Sequence, residues 1–247
     1  MRAPKGPPTP IATPASGITF VGAGSSFGSA STVSSVMVNL PAGVQQRDIL
    51  LATIQLYDAA TNQPSAPAGW SLVRRDTGGP SPNVTSWVYW KLASASEPSS
   101  YGFSISLQYA ASICVAYRGA NANGPIDTSS GQGANLGRAP IAPGSTPNSN
   151  NELEVVVYAV HGGFRPTALL PTSLNSRINN NQTSTNVTFA LGDVASPTTG
   201  TASSSYTATV SGNNSSTGQQ IFLIPANQTA AVQGRSRPSQ RRGATVR

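Results

Sequence analysis

The stretch that decides the fold is Ile49–Tyr57, ILLATIQLY. A strand's side chains alternate between two faces, and here apolar groups fill both of them. Ile, Thr and Tyr also favour a pleated surface, so the segment reads as a strand with little solvent on either side. A surface helix would show a polar stripe at a 3.6-residue period, which this stretch lacks. Glu152–Val160, ELEVVVYAV, reads the same way.

Working outward, Ile18–Val21 opens a β-rich region, and Thr32–Leu40 (TVSSVMVNL) alternates until Pro41, which has no N–H for a ladder. After a long loop to Pro67 come Trp70–Arg75, Thr85–Ala93, Tyr101–Leu107 and Ile113–Arg118, with a turn at Gly119. Residues 120–151 are rich in Gly, Pro and Asn and read as a connection. Ser173–Ile178, Thr185–Leu191, Ser204–Val210 and Gln219–Ile224 complete the set, and no window carries a helical pattern. The expectation is an all-β chain whose residues 17–226 form one two-sheet antiparallel sandwich of jelly-roll type. Two small sandwiches joined near 120–151 are the alternative. On TSWVYWK the pleat sets Trp87 with Tyr89 on one face and Val88 with Trp90 on the other, which implies core on one side and a second packed layer beyond.

The ends differ from the body. Residues 1–16 hold five prolines among small residues, a composition that stays extended and packs no core. Of 15 Lys and Arg, seven lie near the ends: Arg2 and Lys5, then Arg235, Arg237, Arg241, Arg242 and Arg247 in the tail 227–247. The remaining 15 − 7 = 8 face all 8 acids within the middle segment, so the formal +7 belongs to the two arms and the body is neutral. A neutral surface with few charges does little to keep copies apart and suits a protein packed among others. The Arg-rich tail reads first as a disordered, solvated segment; it has no aromatic to stack on bases, so docking on protein is favoured over nucleic acid. No run of about 18 apolar residues occurs and the Pro-rich start lacks the apolar region of a secretory signal, so neither a membrane helix nor signal-directed export is expected.

Candidate chemistry is sparse. One cysteine, Cys114, excludes an intrachain disulfide, and one histidine, His161, leaves no His/Cys cluster for zinc. Cys114 in ICVAYR reads as a small core residue and His161 as a surface residue at a strand end. Glu152 and Glu154 share a strand face about 7 Å apart, a spacing within reach of glycoside hydrolysis, but at a strand mouth they are expected to be solvated. VGAGSSFGS at 21–29 lacks the GK[ST] ending of a phosphate loop. The expectation is no enzyme, no cofactor and no metal. An alternative role for Trp70, Trp87 and Trp90 is an exposed platform stacking on sugar.

LPAGVQQRDILLATI (40–54), PAGWSLVRRD (67–76), VYWKLASASEPSSYGFSIS (88–106) and VAYRGANANGPID (115–127) together resemble a β-sandwich module of tailed-bacteriophage virion proteins, chiefly minor tail and fibre-like proteins. ELEVVVYAV to QIFLIP looks like the module's second part. The family usually has Gly-Asp where this chain has Arg47-Asp48, which bears on the backbone at 47 because Gly permits a positive φ. Arg118 of AYRG is expected to clamp Asp127 of PID. The resemblance implies a virion building block, a minor tail or capsid decoration protein, assembled in the bacterial cytoplasm. Its implied partners are tail or major capsid subunits and copies of itself, a trimer for example. Adhesion to a host surface glycan is the alternative function.

Overall fold

In the computed structural model, residues 17–57, 62–79, 83–161, 170–180 and 187–228 are described. They contain strands and no helix. The strands are β1 (Thr19–Ala23), β2 (Phe27–Gly28), β3 (Val33–Asn39), β4 (Ile49–Tyr57), β5 (Ser71–Gly78), β6 (Val84–Leu92), β7 (Ser100–Gln108), β8 (Ala110–Arg118), β9 (Ile126–Gly137), β10 (Ile141–Ala142), β11 (Leu153–His161), β12 (Asn175–Asn180), β13 (Val187–Ala195), β14 (Tyr206–Thr207) and β15 (Asn214–Leu223). The protein is an all-β antiparallel sandwich, as the patterning of ILLATIQLY requires.

Its strand order runs twice. The first large sheet is ordered β1-β8-β4-β6-β5, with β2 beside β8, and the second β9-β15-β11-β13-β12. Each half adds a two-stranded ribbon, β3-β7 or β10-β14. Equivalence holds residue by residue: Ile49 of β4 lies between Leu92 and Tyr117, and Leu153 of β11 between Ala195 and Leu223. The edge strands break register at the same point, between Leu72 and Arg74 in β5 and between Ser176 and Ile178 in β12.

The two large sheets bury their facing sides against each other. Ile49, Leu51, Val88, Val115 and Tyr117 of the first meet Leu153, Val155, Val157, Leu191, Ile221 and Leu223 of the second in one core cluster. The opposite faces are also covered. Leu50, Ala52, Ile54, Trp87 and Tyr89 pack beneath β3-β7 with Val36, Val38 and Phe103, and Val156 and Tyr158 beneath β10-β14. This layering explains why β4, β8 and β11 are apolar on both faces. It also matches the expected split of Trp87 and Tyr89 from Val88 and Trp90.

Contacts between the sheets are reciprocal: β6 meets β11 as β4 meets β13. β5 lies against β9. On the other flank β12 meets β1, where the Arg177 guanidinium sits 4.7 Å from the Phe20 ring centroid. Equivalent residues Tyr57 and His161 meet each other at one pole, ring centroids 4.6 Å apart. At the other pole Ala120 bridges Pro225. Polar side chains also cross the interface: Tyr117 donates to Asp193 at 3.0 Å, and the Gln219 amide to Asp76 at 2.7 Å while accepting from Ser86 at 3.0 Å; within the second sheet Arg177 donates to the same Asp193 at 2.7 Å.

One strand contradicts the sequence expectation. Ile126–Gly137, IDTSSGQGANLG, lies in the span read as a connection, yet it is the edge strand of the second sheet. Its glycines belong to packing: a Cβ on Gly133 would overlap the Thr77 carbonyl and one on Gly131 the Arg74 side chain, so β5 approaches only because no side chains intervene.

Candidate functional site

The pole opposite Tyr57 and His161 gathers the features that bear on function. There the chain enters β4 through LPAGVQQRD. Arg47 adopts φ 74°, in the left-handed region, and turns the chain so that the next residue, Asp48, points inward. Asp48 is 1% exposed. Its carboxylate accepts the Gln45 N–H at 2.7 Å and both Nε and Nη2 of Arg118 at 2.8 Å, a bidentate pair; Arg118 Nη2 also donates to the Gly43 carbonyl at 3.1 Å. Arg118 therefore clamps Asp48, not Asp127. The two are brought together because β8 ends beside the start of β4, a pairing across 70 residues of sequence that spacing alone does not reveal.

The second half repeats this turn. Asn151 has φ 56°, and Glu152 follows it as Asp48 follows Arg47. The Ser149 N–H donates to Glu152 Oε1 at 2.9 Å, the counterpart of the Gln45 bond. Backbone bonds agree: Ala93 donates to the Asp48 carbonyl at 2.8 Å, and Ser196 to the Glu152 carbonyl at 2.9 Å.

Glu152 and Glu154 are both fully buried, which corrects the expectation of solvated charges. They lie on the β11 face that the outer ribbon covers, so the strand mouth is not open to water. Burial first, and then the Asp127 carboxylate against it, push Glu152 up to about 8, with the Ser149 bond acting the other way. Burial holds Glu154 up to about 7, offset in part by the Tyr206 hydroxyl. Neither carboxyl is placed to reach a sugar.

Two surface depressions adjoin these turns. An open groove of about 520 Å³ runs between Leu40–Val44 and Ser94–Ser99. At its edge Glu97 accepts from Lys91, from the Tyr101 hydroxyl and, at 2.6 Å, from the Ser94 N–H. A second, of about 280 Å³, is lined by Gly17, Gly119, Pro225, Ala226 and Asn227. The described chain thus begins and ends side by side: Ala226 donates to the Gly119 carbonyl at 2.8 Å, and the Gln228 side chain accepts the Asn150 N–H at 3.0 Å. Both terminal segments leave from this pole. Arg2, Lys5, Arg235, Arg237, Arg241, Arg242 and Arg247 lie outside the described residues.

Trp70 and Trp87 are buried and present no platform to a sugar. Trp87 is 0% exposed and Trp70 7%, the latter packed edge-on against Tyr101 and Phe103. Trp90 is half-buried at the junction of the two sheets. Ring size drew attention to these residues, but ring size serves the core. Cys114 is a buried core residue as expected, its thiol raised by burial above all. His161 is half-buried against Tyr57. Among the described residues no three of His, Cys, Asp and Glu gather to hold a metal. Sequence reasoning missed Asp127 as a neighbour of Glu152, since the strand that carries it was read as a loop.

Set against protein-family models, curated proteins and solved structures, the chain finds no match.

Proposed function

We propose that this chain is a non-enzymatic structural protein of a bacteriophage particle, a minor tail or capsid decoration protein, anchored to neighbouring subunits through its two terminal arms. The observation that carries the reading is the common root of the arms: Gly17 and Pro225–Asn227 line one depression at one pole of the body. Seven cations sit in the arms while 8 cations and 8 acids balance in the body, so the excess positive charge that would attract an acidic neighbour belongs to the arms. The body itself supports display. Its two large sheets share one core, and the ribbons cover their outer faces, which makes a stiff block suited to the exterior of a particle. The family resemblance of LPAGVQQRD and its companion motifs supports the same role.

The test is to remove residues 1–16 and residues 229–247, separately and together, and to measure occupancy on purified particles. Loss of occupancy with a folded, soluble body is the expected result. Full occupancy of the doubly truncated chain refutes arm anchoring. Binding of host glycan, the competing role, now lacks Trp70 and Trp87 as stacking surfaces.

A further inference from the structure

The repeat supplies an internal comparison. Ile49 of β4 and Leu153 of β11 hold equivalent places, so Leu50 and Glu154 are equivalent as well. Leu50 lies between Lys91 and Ala116, and Glu154 between Val194 and Phe222. The second half therefore sets a carboxyl where the first has a core leucine, and a valine where the first has a lysine. Glu154 is fully buried, and neither of its oxygens meets a hydrogen-bond partner in good geometry. The four ion pairs of the described residues leave it out. A neutral acid can occupy such a place, but a carboxylate there lacks the partner its charge requires.

The cover over this face differs too. Leu50 lies beneath β3-β7, which is paired from Val33 and Gln108 to Asn39 and Ser100. The β10-β14 ribbon over β11 is two residue pairs long, Ile141 with Thr207 and Ala142 with Tyr206. Ala142 and Tyr206 pack inward on Val156 and Tyr158, which share the β11 face of Glu154. Gln220 of β15 ties the ribbon down: its amide donates to the Ala142 carbonyl at 3.1 Å and the Ser204 carbonyl at 2.9 Å, and accepts the Ser203 hydroxyl at 2.9 Å. The Tyr158 hydroxyl beneath is buried without a hydrogen-bond partner. An ionisable group thus replaces a leucine under the shortest ribbon of the fold.

We propose that the β10-β14 ribbon is a pH-dependent latch, closed over Glu154 while that carboxyl carries its proton and lifting to admit water when the proton is lost to solvent. The titratable groups on this face are Tyr206 from β14, Tyr158 on β11 itself, and Glu152, with Asp127 of β9 against Glu152. β10, β13 and β15 turn Ala142, Val194, Phe222 and Gln220 to it, none of them charged. Burial raises Glu154 from 4.5 to about 7, with the Tyr206 hydroxyl working against the rise. A proton held to about pH 7 in the closed form and only to about 4.5 in the open one makes opening easier as pH rises between those values, with a plateau above. The latch does not depend on the virion reading.

The experiment is hydrogen–deuterium exchange of the full chain from pH 5 to pH 8, read by mass spectrometry and divided by the intrinsic exchange rate at each pH. Protection of residues 139–149 and 203–210 should fall on the order of fiftyfold across that range, while the β3-β7 ribbon keeps its protection. Glu154→Gln, and Glu154→Leu as a second variant that restores the first-half residue, should hold the ribbon equally protected at both ends of the range. Glu152→Gln should keep the wild-type response. Flat wild-type protection of β10-β14, or an equal fall in both ribbons, would overturn the proposal. So would a fall that survives in Glu154→Leu, or one abolished by Glu152→Gln.

Discussion

Replacing Arg47 by glycine should stabilise the protein. Arg47 holds φ 74° with an exposed side chain, and its backbone is fixed on both sides: its own N–H donates to the Ala93 carbonyl at 2.9 Å, and Asp48 behind it is buried. A residue with a Cβ in the left-handed region costs about 1–2 kcal/mol. Glycine removes that cost but adds about 0.4–1 kcal/mol of unfolded-chain entropy. The net gain is therefore centred on about 0.8 kcal/mol within a span of about 0–1.6 kcal/mol, or a Tm higher by about 2–3 °C at the centre for a chain of this size. Arg47→Ala keeps the Cβ and should show no gain, so the difference between the two variants isolates the backbone effect from loss of the charge. Asn151, at φ 56°, occupies the equivalent position but is a residue type that tolerates this conformation, so Asn151→Gly should stay within about 0.5 kcal/mol of wild type. Urea unfolding of the four proteins measures all of this. Arg47→Ala matching or exceeding Arg47→Gly would refute the reasoning.

Other perturbations have equally definite outcomes. Gly119→Ala should destabilise by at least about 2 kcal/mol in the same assay, because Gly119 has φ 90° and a Cβ there would overlap the Gly17 carbonyl; an unchanged midpoint contradicts the tight closure of the arm-bearing pole. Trp87→Ala should cost about 3–5 kcal/mol, since a fully buried indole leaves a cavity beneath the β3-β7 ribbon. A cost under about 1 kcal/mol would place the ring outside the core. Glu97 has a carboxyl that burial works to raise, but bonds from Lys91, Tyr101 and Ser94 outweigh burial and lower it from 4.5 to about 2. A folded-state value below the unfolded one means stability that is present above about pH 4.5 and lost as pH falls toward 2, worth about 1–2 kcal/mol after solvent screening. Glu97→Gln should flatten that acid limb in Tm against pH, and parallel curves for the two proteins would remove the claim.

The strands were legible where burial on both faces leaves a continuous apolar run, as in ILLATIQLY and ELEVVVYAV, because there composition and environment coincide. The duplication was not. The two halves share strand order, bulges and left-handed turns, but the slots are filled by different residues: Trp70 against Leu174, Tyr117 against Leu223, Asp48 against Glu152. Backbone geometry accepts many side chains of suitable size, so the repeat survives in topology without a matching sequence. β9 escaped for a related reason. An edge strand against which another sheet lies closely needs glycine and small polar residues, the composition that otherwise marks a loop. At the candidate site, the left-handed residue before Asp48 was signalled by the resemblance, which places glycine there, and φ 74° at Arg47 agrees. The partners of Asp48 and Glu152 were hidden, since they come from strands distant in the chain.

The central proposal is a rigid β body held to a particle by the pole at which the described chain begins and ends. A cryo-electron-microscopy map of the purified phage particle that carries this chain tests it directly. The body should appear on the outer surface with Gly17 and Gln228 turned toward the particle, and density from both should run into adjacent subunits. A body oriented with Tyr57 and His161 toward the particle, with neither Gly17 nor Gln228 near an adjacent subunit, would contradict it.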